Sequence, residues 1–211
     1  MDERWIDHVD FWGFPGIEGM TDAFGFREDV LSGNYDGAAR RLKGLDPLPL
    51  FTVLEGLLPM RDAWEFFMAL HVHVFKDPSC PGYQQTLGRL VEAGYHLQSE
   101  KRVERIMERV DRDGDDFGMV IYRKAEALDQ DGISSWTTNV NRAVLFANGA
   151  DVERRIQTGR INIANIIDCP TKGIKQEVLV RNRDVEVQGS WSLSEFLMTE
   201  ARLTLYAAVS S

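Results

Sequence analysis

Apolar residues in the first half of the chain recur every three or four positions, the spacing of a single helix face. Trp64, Phe67, Met68, His71, Val72 and Phe75 make one stripe. Leu87, Leu90, Val91 and Gly94 make a second, and Val103, Ile106, Met107 and Val110 a third. Phe51, Leu54, Leu57 and Leu58 predict a shorter helix between the break at Asp46-Pro-Leu-Pro and Pro59. Residues 76–82 carry two prolines and a glycine and predict a loop. Ahead of all these, Trp5, Phe11, Trp12, Phe14 and Phe24 lie among glycines and predict an irregular aromatic arm packed on the helices.

Near residue 111 the period changes. After the acidic turn Asp111-Arg-Asp-Gly-Asp-Asp116, segments become short and rich in Val and Ile, which predicts strands over 117–123, 153–158, 176–181 and 184–188. Helical pieces are expected at about 139–147 and 161–167. Ser192 and Glu195 have the spacing of a capping box, with Leu193, Phe196, Leu197 and Ala201 as the apolar stripe behind it. The fold class expected is α+β: a helical domain over 1–110, then a small mixed α/β domain over 111–211.

Hydrophobic residues make up 44% and charged residues 27%, which fits a globular chain with a real core. The formal net charge of -9 argues against general binding to nucleic acid or to anionic lipid. It leaves room for a local basic patch such as Arg181 and Arg183. Cys80 and Cys169 have no metal-ligand spacing; they allow one disulfide, with two free thiols of a reducing compartment as the favoured reading. The start Met-Asp-Glu-Arg-Trp does not read as a signal peptide, and no apolar run is long enough to span a bilayer. The expected location is a cytoplasm, that of the producing cell or of a host reached by injection.

Three segments carry candidate chemistry. Phe117-Gly-Met-Val-Ile-Tyr-Arg123 predicts a core strand that closes on an arginine. Ser134-Ser135-Trp136-Thr137-Thr138 runs into Asn139-Val-Asn-Arg-Ala-Val-Leu-Phe-Ala147, a strand feeding a helix with Thr138 or Asn139 as its N-cap. Thr171-Lys-Gly-Ile-Lys-Gln-Glu-Val-Leu-Val180 is a polar loop entering a strand at Glu177. An arginine offers a permanently charged fork for a pyrophosphate. A carboxylate suits an oxocarbenium-like transition state, and a hydroxyl can hold that carboxylate in register. Taken singly, Arg123 is an ordinary strand-closing arginine and Glu177 an ordinary exposed charge. Taken in order, the three reinforce one another.

In that order and spacing the C-terminal half resembles the mono-ADP-ribosyltransferases of the arginine–serine–glutamate class. The resemblance implies an NAD-consuming glycosyltransferase in which Arg123, Ser135 and Glu177 are catalytic. It implies cofactor contacts from Arg123, Tyr122, Ser135, Thr137 and Phe146, with Trp136 pointing into the core. It implies a substrate loop ending in Lys175 and Gln176, no metal, and a macromolecular acceptor, a protein foremost. Lys175 departs from the family, whose members carry glutamate or glutamine there. That departure keeps two alternatives open: an NAD glycohydrolase toxin, or a non-enzymatic interaction protein on the same fold. The first half shows no catalytic group, and its simplest purpose is to select a partner or cover the NAD cleft.

Other features are set aside. Asp111, Asp113 and Asp115 alternate as calcium ligands do, but the glycine comes too early and Tyr122 stands where the closing glutamate belongs. His71 and His73 flank a valine on an apolar helix and read as packing or surface residues.

Overall fold

A computed structural model describes residues 11–75, 81–115, 118–124, 131–147, 155–170 and 176–199. The chain divides into two compact units, residues 1–103 and 104–211. The boundary lies before the expected 110/111 because Ile106, inside the third predicted stripe, is buried in the core of the second unit.

The described part of the first unit is helical. Two 3-10 turns precede α1 (Ala23–Leu31), α2 (Tyr35–Arg41), α3 (Leu48–Glu55), α4 (Met60–His73) and α5 (Pro81–Glu92). The side chains of Asp22 and Asn34 accept backbone N–H bonds that start α1 and α2. Helix α4 is buried nearly all round, so Ala63, Phe66, Ala69 and Leu70 join the predicted stripe inside. Rings of Phe26, Tyr35 and Phe51 surround Phe66, and Tyr83 stacks on Phe67. His71 is a core residue whose Nδ1 meets the Tyr83 hydroxyl at 2.6 Å. Glu55 is buried and takes both prongs of the Arg89 guanidinium at 2.5 Å. The aromatic arm is helical from residue 23; Phe11 and Phe14 are buried, while Trp12 and Phe24 meet edge to face outside. Trp5 and Cys80 lie outside the described residues.

The second unit takes in α6 (Glu100–Asp113) from residue 104 onward, then β1 (Gly114–Asp115), β2 (Gly118–Lys124), β3 (Ile133–Thr137), α7 (Val140–Ala147), β4 (Arg155–Ile161), β5 (Ile166–Asp168), β6 (Glu177–Arg181) and β7 (Val185–Ser192). The strands form one seven-stranded antiparallel sheet in the order β5-β6-β3-β2-β4-β7, with β1 on β2. Alternation along the strands sends side chains to two faces. One face, with Met119, Ile121, Trp136, Ile161, Val178 and Val180, packs with Ile106 of α6. A second cluster joins Ile156, Ala143 of α7 and Phe196, with Tyr122 packed against it. Gly118 starts β2 at a φ of 124°, and a Cβ there would strike the Ile161 carbonyl, so only glycine fits.

The helix expected over 161–167 is a 3-10 turn, Ile163–Asn165, followed by strand β5. Asn162 caps the turn by accepting from the Ala164 N–H, and Ile166 then pairs with Val180. β-branched Ile166 and Ile167 fit that pleated edge better than a helix. The capping box forms as expected: Glu195 accepts from the Ser192 N–H and Ser192 from the Glu195 N–H. Those bonds hold the Glu195 carboxyl below its ordinary value. Leu193 and Phe196 pack inward, but Leu197 is exposed and Ala201 lies outside the described residues. No helix among the described residues is long and apolar enough to cross a membrane.

Helix α6 is tied to β5 by charge. Arg105 grips Asp168 with Nε at 2.8 Å and a terminal nitrogen at 2.5 Å, and Asp168 is fully buried. The Cys169 N–H also donates to Asp168, and Cys169 itself is a buried free thiol. Asp168→Ala is expected to lower the stability of the second unit by about 3–5 kcal/mol, because it strands a largely buried guanidinium. Urea unfolding followed by amide exchange in β5 and β6 measures it; a loss below about 1 kcal/mol would show that the pair is not what holds α6 to the sheet.

Candidate active site

The three strands expected to carry chemistry lie side by side as β6, β3 and β2. Thr137 of β3 stands opposite Glu177 of β6, and Ser135 stands opposite Leu179. Ser135 and Glu177 are therefore diagonal neighbours on one face. The Ser135 hydroxyl donates to the Glu177 carboxylate in a charge-assisted hydrogen bond. Both residues are half-buried, and Glu177 is the first residue of its strand. The carboxylate is thus held in place yet reachable.

Trp136, between Ser135 and Thr137, points the other way and is 1% exposed. Gly159 of β4 lies beside its ring: a Cβ at that position would sit 2.6 Å from Val185 and 3.3 Å from the indole. Thr137 is buried, and its hydroxyl accepts from the Asn139 N–H at 3.0 Å. Asn139 in turn accepts from the Arg142 N–H and is the N-cap of α7. The Thr137 hydroxyl therefore turns the chain from strand to helix.

Arg123 is placed differently from its two companions. Its terminal nitrogen donates to Ser134 at 2.9 Å, its Nε to the Lys124 carbonyl at 3.1 Å, and its guanidinium lies 5.5 Å above the Trp136 ring. Ser134 and Trp136 project from the side of β3 opposite to Ser135. The arginine and the serine–glutamate pair thus flank β3 rather than share one face of it. The strands explain how. Among the described residues, β2 and β3 pair only at Tyr122 with Thr137, while β2 pairs with β4 from Met119 to Lys124. Beyond Tyr122 the inner edges of β2 and β3 part, and the Arg123 side chain crosses the opening.

Tyr122 packs edge-on to Phe196 at 5.8 Å, within an apolar cluster. Phe146 lies in α7, but its side chain is outside the described residues, as is Lys175 altogether. Gln176 has a left-handed backbone, φ 46°, and its carbonyl accepts from the Thr138 N–H at 3.1 Å.

Sequence reasoning missed a polar group beside Gln176. Thr138 donates to Asp113 at 2.7 Å, and Arg109 reaches Thr138 at 3.3 Å and Asp113 at 3.7 Å. Arg109 is 2% exposed, and burial holds its guanidinium below the ordinary arginine value. Asp115, the next aspartate along, pairs with Arg160. The signal lay in the Arg109–Asp113 spacing of four, which puts both on the same side of α6 as Ile106 and Val110. No group of three metal-holding side chains occurs among the described residues.

The left-handed turn at Gln176 can be tested without any substrate. Gln176→Val, a β-branched residue at positive φ, is expected to cost about 1–3 kcal/mol, whereas Gln176→Gly stays within about 1 kcal/mol of the parent. Chemical denaturation of the two variants gives the comparison; equal stabilities would overturn the backbone assignment at this turn.

A comparison with protein-family models, a search of curated proteins and a search of solved structures each found no match to this chain.

Proposed function

We propose that the second unit cleaves the nicotinamide–ribose bond of NAD and passes ADP-ribose to a macromolecular acceptor, with Glu177 as its catalytic carboxylate. The observation that carries this reading is the Ser135–Glu177 hydrogen bond at the mouth of β6, one strand away from Arg123. In this reaction the bond between the ribose C1′ and the ring nitrogen breaks, and nicotinamide leaves with the electron pair as a neutral molecule. The leaving group needs no proton, so no general acid is required. The positive charge left on the ribose favours a nearby fixed carboxylate. Ser135 keeps Glu177 aimed, since its hydroxyl donates to the carboxylate. The acceptor then attacks C1′ and loses a proton.

Arg123 serves the pyrophosphate in this reading. It sits at the opening between β2 and β3, where it donates to the Ser134 hydroxyl and to the Lys124 carbonyl. A phosphate offers that guanidinium a stronger, bidentate partner. The second reading is hydrolysis, with water in place of the acceptor. It is favoured by Lys175, which replaces the acidic or amide side chain two residues before Glu177. The first unit is proposed to select the acceptor.

NAD labelled in its adenosine part, incubated with the protein and a cell lysate, separates the readings. Label on a macromolecule supports transfer, label in free ADP-ribose supports hydrolysis, and intact NAD overturns both. Glu177→Gln keeps the shape and removes the charge, and NAD cleavage is expected to fall by about a hundredfold or more. Parent-like turnover in that variant, with folding confirmed by circular dichroism, would remove Glu177 from the mechanism. Arg123→Lys keeps the charge and loses the fork. It is expected to raise the KM for NAD with a milder effect on kcat, and an unchanged KM would end the pyrophosphate assignment.

A further inference from the structure

Glu177 is the first residue of β6, so its position depends on what fixes the residue before it. Gln176 is held at its backbone by one residue, Thr138. The Thr138 N–H donates to the Gln176 carbonyl at 3.1 Å, and the Thr138 hydroxyl lies 3.5 Å from the Gln176 side-chain oxygen. Thr138 is itself fixed from α6, where Asp113 accepts its hydroxyl proton at 2.7 Å and Arg109 reaches it at 3.3 Å. Arg109 and Asp113 are one turn apart on α6 and form an ion pair at 3.7 Å. A second carboxylate contact comes from Arg112 at 3.8 Å. The chain of contacts thus runs from α6 through Thr138 to Gln176, and ends on the residue next to Glu177.

A buried arginine is costly to keep in place, and a helix that needs only to cover the sheet uses apolar residues there. Arg109 is 2% exposed on the buried side of α6, where an aliphatic side chain would fill the space without that cost. What the arginine adds is direction. With Asp113 it fixes the rotamer of one threonine, and that threonine holds a left-handed residue that a strand start would not otherwise favour.

We infer that Thr138 is a positioning residue for Glu177, and that Asp113 and Arg109 of α6 serve it by clamping Gln176 at the entry to β6. This rests on the proposed role of Glu177. In this assignment the clamp acts on the placement of the carboxylate and not on the grip on NAD. It also means that any movement of α6 against Thr138 is felt at Glu177 through a single residue.

The test uses the full chain and the variants Thr138→Val and Thr138→Ser. Valine keeps the shape and loses the hydroxyl; serine keeps the hydroxyl. Amide exchange is read first, without NAD. In Thr138→Val the amide of residue 138, which donates to Gln176, is expected to exchange about tenfold faster or more, and in Thr138→Ser to stay within about threefold of the parent. NAD cleavage is read second: Thr138→Val lowers kcat by about tenfold with KM within about twofold, and Thr138→Ser restores it. If the valine variant does not fold, Asp113→Asn, which weakens the same hydroxyl contact, is read for the same exchange and the same kcat-against-KM split. Unchanged exchange in the variant overturns the clamp. Faster exchange with unchanged kcat overturns the link to Glu177. A parent protein that leaves NAD intact refutes the proposed function, while the exchange comparison still decides whether Thr138 holds Gln176.

Discussion

The second unit depends on the two-way alternation of one five-residue strand. β3 lies between β6 and β2, so its side chains must serve two neighbours at once. Ile133 and Trp136 are buried on opposite sides of it, while Ser134 and Ser135 project between them, one to each side. The large indole packs with Val178 of β6 and reaches across β2 to Gly159 of β4. With that anchor in place, the small hydroxyls beside it can be spent on polar contacts, Ser135 to Glu177 and Ser134 to Arg123. A slip of one residue would put the indole where Glu177 is and bury the serines. Register and chemistry are therefore the same constraint here.

Much of this was legible because it depends on local pattern. The run Ser-Trp-Thr followed by a helix start gives a strand, a turn and a cap, and Asn139 caps α7 as its spacing implies. β-branched residues mark β2 and β6. Burial around α4 was legible only in part, since a stripe shows one face and cannot reveal that Phe66 and Leu70 on the other flank are covered as well. Strand β5 was not legible. Three residues are too few for a period, and its identity as a strand comes from pairing with β6, which is a tertiary fact. The same holds for the face taken by Arg123. Sequence order places an arginine, a serine and a glutamate on three strands, but which side of a sheet each one uses follows from the register, and the Tyr122–Thr137 pair sets it.

Helix α6 shows how charge can serve structure in an acidic chain. Its sequence is polar on most positions, and Val103 and Met107, both in the expected stripe, are exposed. What goes inside is Ile106 with Arg109, while Arg105 reaches Asp168. Arg105 and Arg109 each meet a carboxylate within the unit, as buried charge requires. A periodic apolar pattern is a poor guide to such a helix, because its inward face reads as a surface.

The opening between β2 and β3 gives the arginine its place. A sheet interior leaves no backbone group without a partner, so where two strands part, side chains, water or a ligand must take over from the ladder. Here the Nε of Arg123 serves the Lys124 carbonyl and its terminal nitrogen serves Ser134, while the ring of Trp136 supports the guanidinium from below. On the proposed reading, a phosphate arriving at that guanidinium gains a charge-assisted, bidentate pair, while the contacts to Ser134, the Lys124 carbonyl and the indole already order the fork that receives it.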